Sequence, residues 1–488
     1  MNAEMMIRAG EAVACRPVPR HLLTPDAWRA MSGALAAQPE LGFVALWADP
    51  AQVHALFWCG GPLLASVPVE AGLYAALSAA RPGAALFERM VADLWGHQAA
   101  DARDLRPWLD HGTWPLLRPL AERPVPNTGA PDIPEMLPAP EDPSSGGAAH
   151  DVLGFGPLPP GLPGPAHWRA AVDGNRVRQL EARLGYGHRG VLGLMRGKSP
   201  AGAARLAARI DGAATVAHAT AFARAVEAAQ RTPVPPRALA LRGVLLAIER
   251  VAVGLHDIHA TAEACGLDRP ALQQAREDLL AACGAALGHR LMMDLVRPGG
   301  VQAEPGAEAL RVLDAALAAV PGEPAPRSAW WLSRRSERWP ELGGLALADA
   351  LALAPAGVVG RAAGRPDPAH PAAEVLAAGT LPARMRLRRA ALASDVAAAR
   401  AGLAAVPDGP VLVALSHDAG EGLGCAEGPQ GMVWHWVRLA NGIVTASFAA
   451  DPAWLHLPAF EATATGASLD ELPMVAASFG LHLAGMDL

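Results

Sequence analysis

The stretch RIDGAATVAH, Arg209 to His218, carries Asp211, Ala214 and His218 at i, i+3 and i+7, a spacing that places all three on one face of an α-helix. A carboxylate and an imidazole on one face suit metal ligation or proton transfer, but the alanine between them offers no ligand. Other constellations carry less. His256 and His259 share a helix face at i, i+3 with no carboxylate or cysteine placed beside them, so a partly exposed helix surface is expected. GEGLG, Gly420 to Gly424, has the look of a phosphate-cradling loop; without a following lysine or helix start it reads as an ordinary glycine-rich turn. Ser416, His417 and Asp418 are consecutive and cannot face one another as a catalytic triad. Trp434 and Trp436 in MVWHWV alternate along a strand that packs one side on a core.

The elements that must position these residues follow from pattern and composition. GFVALW, VHALFW and LLASVPV read as strands, and EAGLYAALSAA and ALFERMVADLWG as helices, giving a small α/β domain over residues 1–115. Fourteen prolines between Pro115 and Pro165 forbid helix or central strand, so residues 116–165 are expected to form an extended linker. Residues 166–488 open on a hairpin with Asp173-Gly174 at its turn and close on a second with Asn441-Gly442 at its turn. Between them the alanine- and leucine-rich segment from about 200 to 400 has helical period and reads as a bundle. The expected class is α+β: a small N-terminal α/β domain, a proline-rich linker and a large, mainly helical domain with β-hairpins at its margins.

Bulk composition excludes several functions. A net charge of −6, with Lys198 the only lysine, argues against a nucleic-acid partner. Cys15, Cys59, Cys265, Cys283 and Cys425 are scattered, with no C-x-x-C pair, so neither a disulfide framework nor a zinc site is indicated. Met1 to Arg20 lacks a continuous apolar core, so no signal sequence is expected. The most apolar stretch, GGLALADALALAPAGVVG, is interrupted by Asp349 and Pro355; the chain is expected to be soluble and to meet a membrane only through partners.

RIDGAATVAH resembles the first metal-binding motif of [NiFe]-hydrogenase large subunits, Arg-x-Cys-Gly-x-Cys-x-x-x-His: Arg209, Gly212 and His218 match, while Asp211 and Ala214 stand at the cysteines. The second cysteine pair of that family aligns with His482 and Gly485 in SFGLHLAGMDL, with Ser478 and Asp487 as remnants. LGYGHRG, AFARAVE, LAIER, GHRLMMDLVRPGGV and GVVGRAAG resemble the group-four, membrane-bound hydrogenases and the quinone-site (D-type) subunit of respiratory complex I. FERMVADLWG and DLRPWLDHGTWP resemble the C-type subunit of complex I, and the fused C–D order resembles the formate hydrogenlyase large subunit.

The departures decide what the resemblance implies. A nickel–iron centre takes four thiolates, and all four are absent. The family's proton-carrying acid aligns with Leu192. The quinone-binding histidines of complex I align with Pro159 and Pro163 in GPLPPGLPG, and its tyrosine with Gly212, although Asp211 matches an aspartate of that family. Proline and glycine side chains offer a quinone no donor. The resemblance therefore implies a subunit with degenerate nickel–iron and quinone sites, not itself a hydrogenase, with no cofactor bound by this chain. It would dock an iron–sulfur small subunit and multi-spanning membrane subunits of the complex I or antiporter type, as a peripheral protein on the cytoplasmic face of the inner membrane. Arg189 is a candidate for facing the partner's iron–sulfur cluster or, alternatively, for an internal ion pair. The competing expectations are a redox enzyme with a remodelled non-nickel pocket around Asp211, His218 and His482, with Arg209 as a further catalytic candidate, a quinone oxidoreductase subunit, or a scaffold with no redox partner. The chain ends three residues past Gly485, so no maturation-cleaved tail is expected.

Overall fold

The computed structural model describes residues 2–129, 136, 151–302, 304–322, 341–367 and 373–488. The N-terminal region runs α1 (Ala3–Arg8), β1 (Glu11–Val13), β2 (Arg20–Leu22), α2 (Pro25–Leu35), β3 (Gly42–Ala48), β4 (Gln52–Trp58), β5 (Pro62–Pro68), β6 (Leu73–Ala75), α3 (Ala85–Trp95) and β7 (Gln98–Ala100). Its sheet has the order β1-β2-β5-β4-β3, antiparallel except where β2 pairs parallel with β5. α2 starts where Thr24 caps the Ala27 N–H and Pro25 takes a first-turn position that needs no donor. EAGLYAALSAA is not the expected helix. Ala71 and Gly72 turn in the left-handed region, and the next three residues pair with β7, whose hydrogen bonds override alanine's helical preference.

Within the 116–165 stretch, the described residues form β8 (Leu116–Leu117), β9 (Val125–Pro126) and β10 (Asp151–Phe155). β10 extends a sheet with β11 (His167–Asp173) and β12 (Arg176–Arg183). The β11–β12 turn holds Gly174 and Asn175 rather than Asp173 and Gly174, because Asp173 pairs with Arg176 and Gly174 takes the first left-handed position. Residues 130–135 and 137–150 of the expected linker lie outside the described residues.

The large region continues with α4 (Val191–Met195), α5 (Pro200–Ala207), α6 (Thr215–Gln230), α7 (Pro236–Ala264), α8 (Pro270–Leu287), β13 (Val296–Arg297), β14 (Gly300–Val301) and α9 (Ala307–Ala318). It ends with α10 (Leu347–Leu353), α11 (Gly357–Ala362), α12 (Leu381–Ala404), β15 (Gly420–Gly428), β16 (Gly431–Ala440), β17 (Ile443–Ala450), α13 (Ala453–Ala464), α14 (Leu472–Phe479) and α15 (Ala484–Asp487). The class is α+β. Asn441 and Gly442 turn between β16 and β17, both with positive φ.

The β15-β16-β17 sheet is central rather than marginal. On one side it meets the N-terminal sheet, where Trp47 stacks on Phe448 at 5.1 Å and lies 5.8 Å from Trp436. On the other it carries α6. GEGLG is therefore not a turn but the start of β15, and its glycines face the helix. A Cβ at Gly422 or Gly424 would overlap Ala225 O or Ala221 O, and one at Gly420 would come within 2.7 Å of Ala229 O. Bare glycine at alternate strand positions lets the backbone of α6 lie directly on the sheet. One continuous apolar core runs from Ala3 to Leu488 across both regions. Among the described residues no helix is long and apolar enough to cross a membrane.

Candidate functional site

Asp211 and Ala214 do not share a helix face with His218, because α6 begins only at Thr215. They form a tight turn ahead of it: Asp211 O accepts from Ala214 N (3.2 Å), and Asp211 Oδ1 from Ala213 N (2.8 Å). No side chain within the turn caps α6. Glu249 of α7 does so instead, its carboxyl accepting from Val216 N at 2.6 Å and Ala217 N at 3.0 Å. Burial pushes the Glu249 pKa up to about 8 despite these bonds. Asp211 is buried too, and its pKa is raised by desolvation and by Asp451 against the pull of His482.

His218, fully buried on the first turns of α6, joins three elements. Its Nε2 lies 3.0 Å from Asp451 Oδ2 at the end of β17, and its Nδ1 lies 3.0 Å from His435 Nε2 on β16. Burial and the neighbouring His218 hold His435 well below the ordinary histidine pKa, so it is neutral. A neutral His435 donates its Nε2–H to His218 Nδ1, which places the His218 ring hydrogen on Nε2, where it donates to Asp451 Oδ2. That leaves His435 Nδ1 as a buried lone pair without a partner among the described residues.

His482 belongs to a second group. Its Nε2 is 3.9 Å from Asp257 Oδ1 on α7, and its side chain keeps 30% exposure. Burial opposes its charge, but Asp257, Asp211 and Asp451 together hold its pKa up to about 9. Asp257 in turn accepts from Arg388 Nη1 and from Gln430 Nε2 (2.7 Å), and these partners keep it ionised, near pKa 2, although burial alone would raise it. At Gly485 a Cβ would lie 2.5 Å from Asp451 Cγ; the carboxylate that holds His218 fills the space a side chain there would need.

The remaining positions are built into the scaffold. Ser478 Oγ accepts from Arg384 Nε (3.0 Å) and Nη2 (2.9 Å). Asp487 accepts from Gly185 N and Gly187 N, and Leu488 O from Gly190 N, so LGYGHRG wraps the last residues. Arg189 makes no internal ion pair among the described residues. It is exposed and donates to the carbonyls of Arg209, Ile210 and Ala484, lacing the Asp211 turn to the segment that carries His482. Arg209 forms a bidentate pair with Asp294 at 2.6 and 2.7 Å. Leu192 is buried in α4, and Pro163 O accepts from Trp168 Nε1 in the loop that aligns with the quinone-binding histidines.

Asp211, Ala214, Gln430, Asp451, His456 and His482 enclose a cavity of about 10 Å³, room for one water. Among the described residues no three His, Cys, Asp or Glu side chains are placed to hold a metal ion. A nickel–iron centre does not fit here: the donors are hard and bonded to one another, and one ligand position is filled by Asp451. The arrangement can store and exchange protons. Asp211 and His482 both line this cavity and His218 joins it through Asp451; sequence reasoning named these three residues but missed Asp451, Asp257, Glu249 and His435. For His435 a signal existed, since the residue between two core-facing tryptophans on a strand must point to the opposite face.

No protein-family model matches the chain. It is 28% identical over 232 residues to hydrogenase-4 component G of Escherichia coli, covering 45% of this chain and 40% of the relative. It is 31% identical over 178 residues to the D-type subunit of the NADH-quinone oxidoreductase of Gluconacetobacter diazotrophicus, covering 35% and 42%. The matches thus span well under half the length of these curated relatives. Among solved structures, a chain of the membrane-bound sulfane sulfur reductase, an archaeal respiratory membrane complex, superposes with a TM-score of 0.61 at 20% identity, over 70% of this chain and 99% of that one. That likeness establishes the fold.

Proposed function

We infer that this chain has a place in a respiratory assembly, because its curated relatives are subunits of a membrane-bound hydrogenase and of NADH-quinone oxidoreductases. We propose that this chain is likewise a subunit of a membrane-anchored, complex-I-like oxidoreductase, held at the cytoplasmic face of the inner membrane by docking to an iron–sulfur small subunit and a membrane arm. It contributes shape and coupling, with no nickel, iron or quinone bound by its own residues. The observation that carries this reading is the arrangement at the four aligned positions: Asp211 and Ala214 form the turn ahead of α6, His482 faces Asp257, and the space beside Gly485 is filled by Asp451. The alternative of a remodelled pocket acting on a substrate finds room for one water only.

Affinity purification in mild detergent, with partner identification and metal analysis, tests the proposal. Co-purification of an iron–sulfur protein and multi-spanning membrane proteins, without nickel on this chain, is expected. Repeated recovery of the chain alone, or nickel near one per chain, overturns it.

A further inference from the structure

A cavity of about 270 Å³ lies where the Arg103–Trp108 segment and α3 meet β11–β12 and α13. Its charges do not balance. Asp104 is taken by Arg89 (3.1 Å) and Arg106 (2.7 Å), and Glu181 by Arg106 (3.1 Å) and Arg169 (3.0 Å). The third carboxyl, Glu461, accepts from Ala182 N at 2.7 Å and is pushed by burial up to a pKa of about 8, so it adds little negative charge near neutrality. Two further guanidiniums line the same space. Arg183 lies over the Tyr186 ring with its buried Nε unbonded, and the side chain of exposed Arg103 has no ion pair among the described residues. Five arginines thus face Asp104 and Glu181, and Arg103 and Arg183 are the two with no carboxylate partner among the described residues.

We propose that this cavity is a binding site for a small oxyanion of the phosphate class, held between Arg103 and Arg183. Guanidinium forks match the oxygens of such an anion two at a time, and low-dielectric walls strengthen the attraction. The volume suits an inorganic phosphate or a small phosphomonoester rather than a dinucleotide. Because the walls come from both regions of the chain, an occupant ties them together and stabilises the fold by linkage. The site lies apart from the Asp211 cluster and does not depend on the reading of that cluster.

Thermal unfolding and isothermal titration of the full chain test the proposal, with inorganic phosphate, glycerol 3-phosphate and sodium chloride at matched ionic strength. A saturable rise in Tm and measurable heat are expected with phosphate and absent with chloride. R103Q and R183Q should each weaken binding about tenfold, whereas R29Q, on an exposed helix, should not. Tighter binding of glycerol 3-phosphate than phosphate identifies an organic phosphate as the occupant; equal binding identifies the free ion. R103Q changes an exposed residue and serves if R183Q does not fold. Equal shifts with chloride and phosphate, or unchanged phosphate binding in folded R103Q, overturn the proposal.

Discussion

At Gly485, the position that aligns with a cysteine of the resembled hydrogenase motif, a side chain would meet a steric obstacle. A cysteine there would place its Cβ 2.5 Å from Asp451 Cγ, and relief would require moving the carboxylate that anchors His218. G485C should therefore destabilise the chain by about 1–3 kcal/mol or more in urea unfolding. A214C, at a turn position with no side chain beyond Cβ, should cost less. Equal stability of both variants would refute the steric argument. The fourfold D211C/A214C/H482C/G485C variant should stay nickel-free by metal analysis, since Asp451 still crowds the side chain at 485 and the groups that orient metal ligands are not rebuilt. Titration offers a second check. Glu249, with its folded pKa raised to about 8, holds a proton that the unfolded chain releases near 4.5, so stability falls as pH rises through that window. His482, raised to about 9, adds a fall of the same sign above pH 6.5. E249Q keeps an acceptor at the start of α6 but no proton to release. Its unfolding free energy should decline less steeply than wild type between pH 5 and 8, by at most about 1.4 kcal/mol per pH unit. Parallel curves would contradict the assignment.

Among elements, the contact of α6 with β15 governs the site, because it sets His218 against Asp451 and His435. Gly420, Gly422 and Gly424 make that contact possible. G422A and G424A would each force helix and sheet apart, and each should destabilise by about 3 kcal/mol, at the upper end for an overpacked core. G212A, whose Cβ would meet nothing within 4 Å, is the control. Chemical denaturation that ranks G212A with G422A would contradict the close-packing account. The same glycines show why composition misled: a G-x-G-x-G pattern that reads locally as a turn is a strand once a helix lies on it. EAGLYAALSAA failed for a related reason, since its strand exists only through pairing with Gln98–Ala100.

Over the whole molecule, a chain of buried charges joins the N-terminal sheet to β15 and β16. Glu421 accepts from Arg20 Nε (3.0 Å) and Nη2 (3.1 Å) and from Arg438 Nε (2.9 Å), while Arg438 also reaches Asp49 at 2.8 Å. Removing one partner of a buried pair strands the other's charge in low dielectric, so E421Q should cost about 3–5 kcal/mol. Replacing Arg20 and Glu421 together by apolar residues should cost less than E421Q alone. A loss below about 1 kcal/mol in E421Q, measured by denaturant unfolding, would mean that water reaches the seam.

Local rules sufficed for features whose cause is local. Short, nearly continuous apolar runs produced β3 to β5, and Asn441-Gly442 turned a hairpin because both residues tolerate positive φ. The motif spacing around Arg209 and His218 also places Asp211 and Ala214 where the resembled motif has cysteines. What surrounds these positions was decided by tertiary structure alone. Asp451 is 233 positions from His218, Asp257 lies 225 positions before His482, and Glu249 caps a helix that starts 34 residues earlier. Side-chain charges separated so far along the chain have no periodicity to betray them. Only folding brings them together, and burial then strengthens every attraction and shifts every pKa between them.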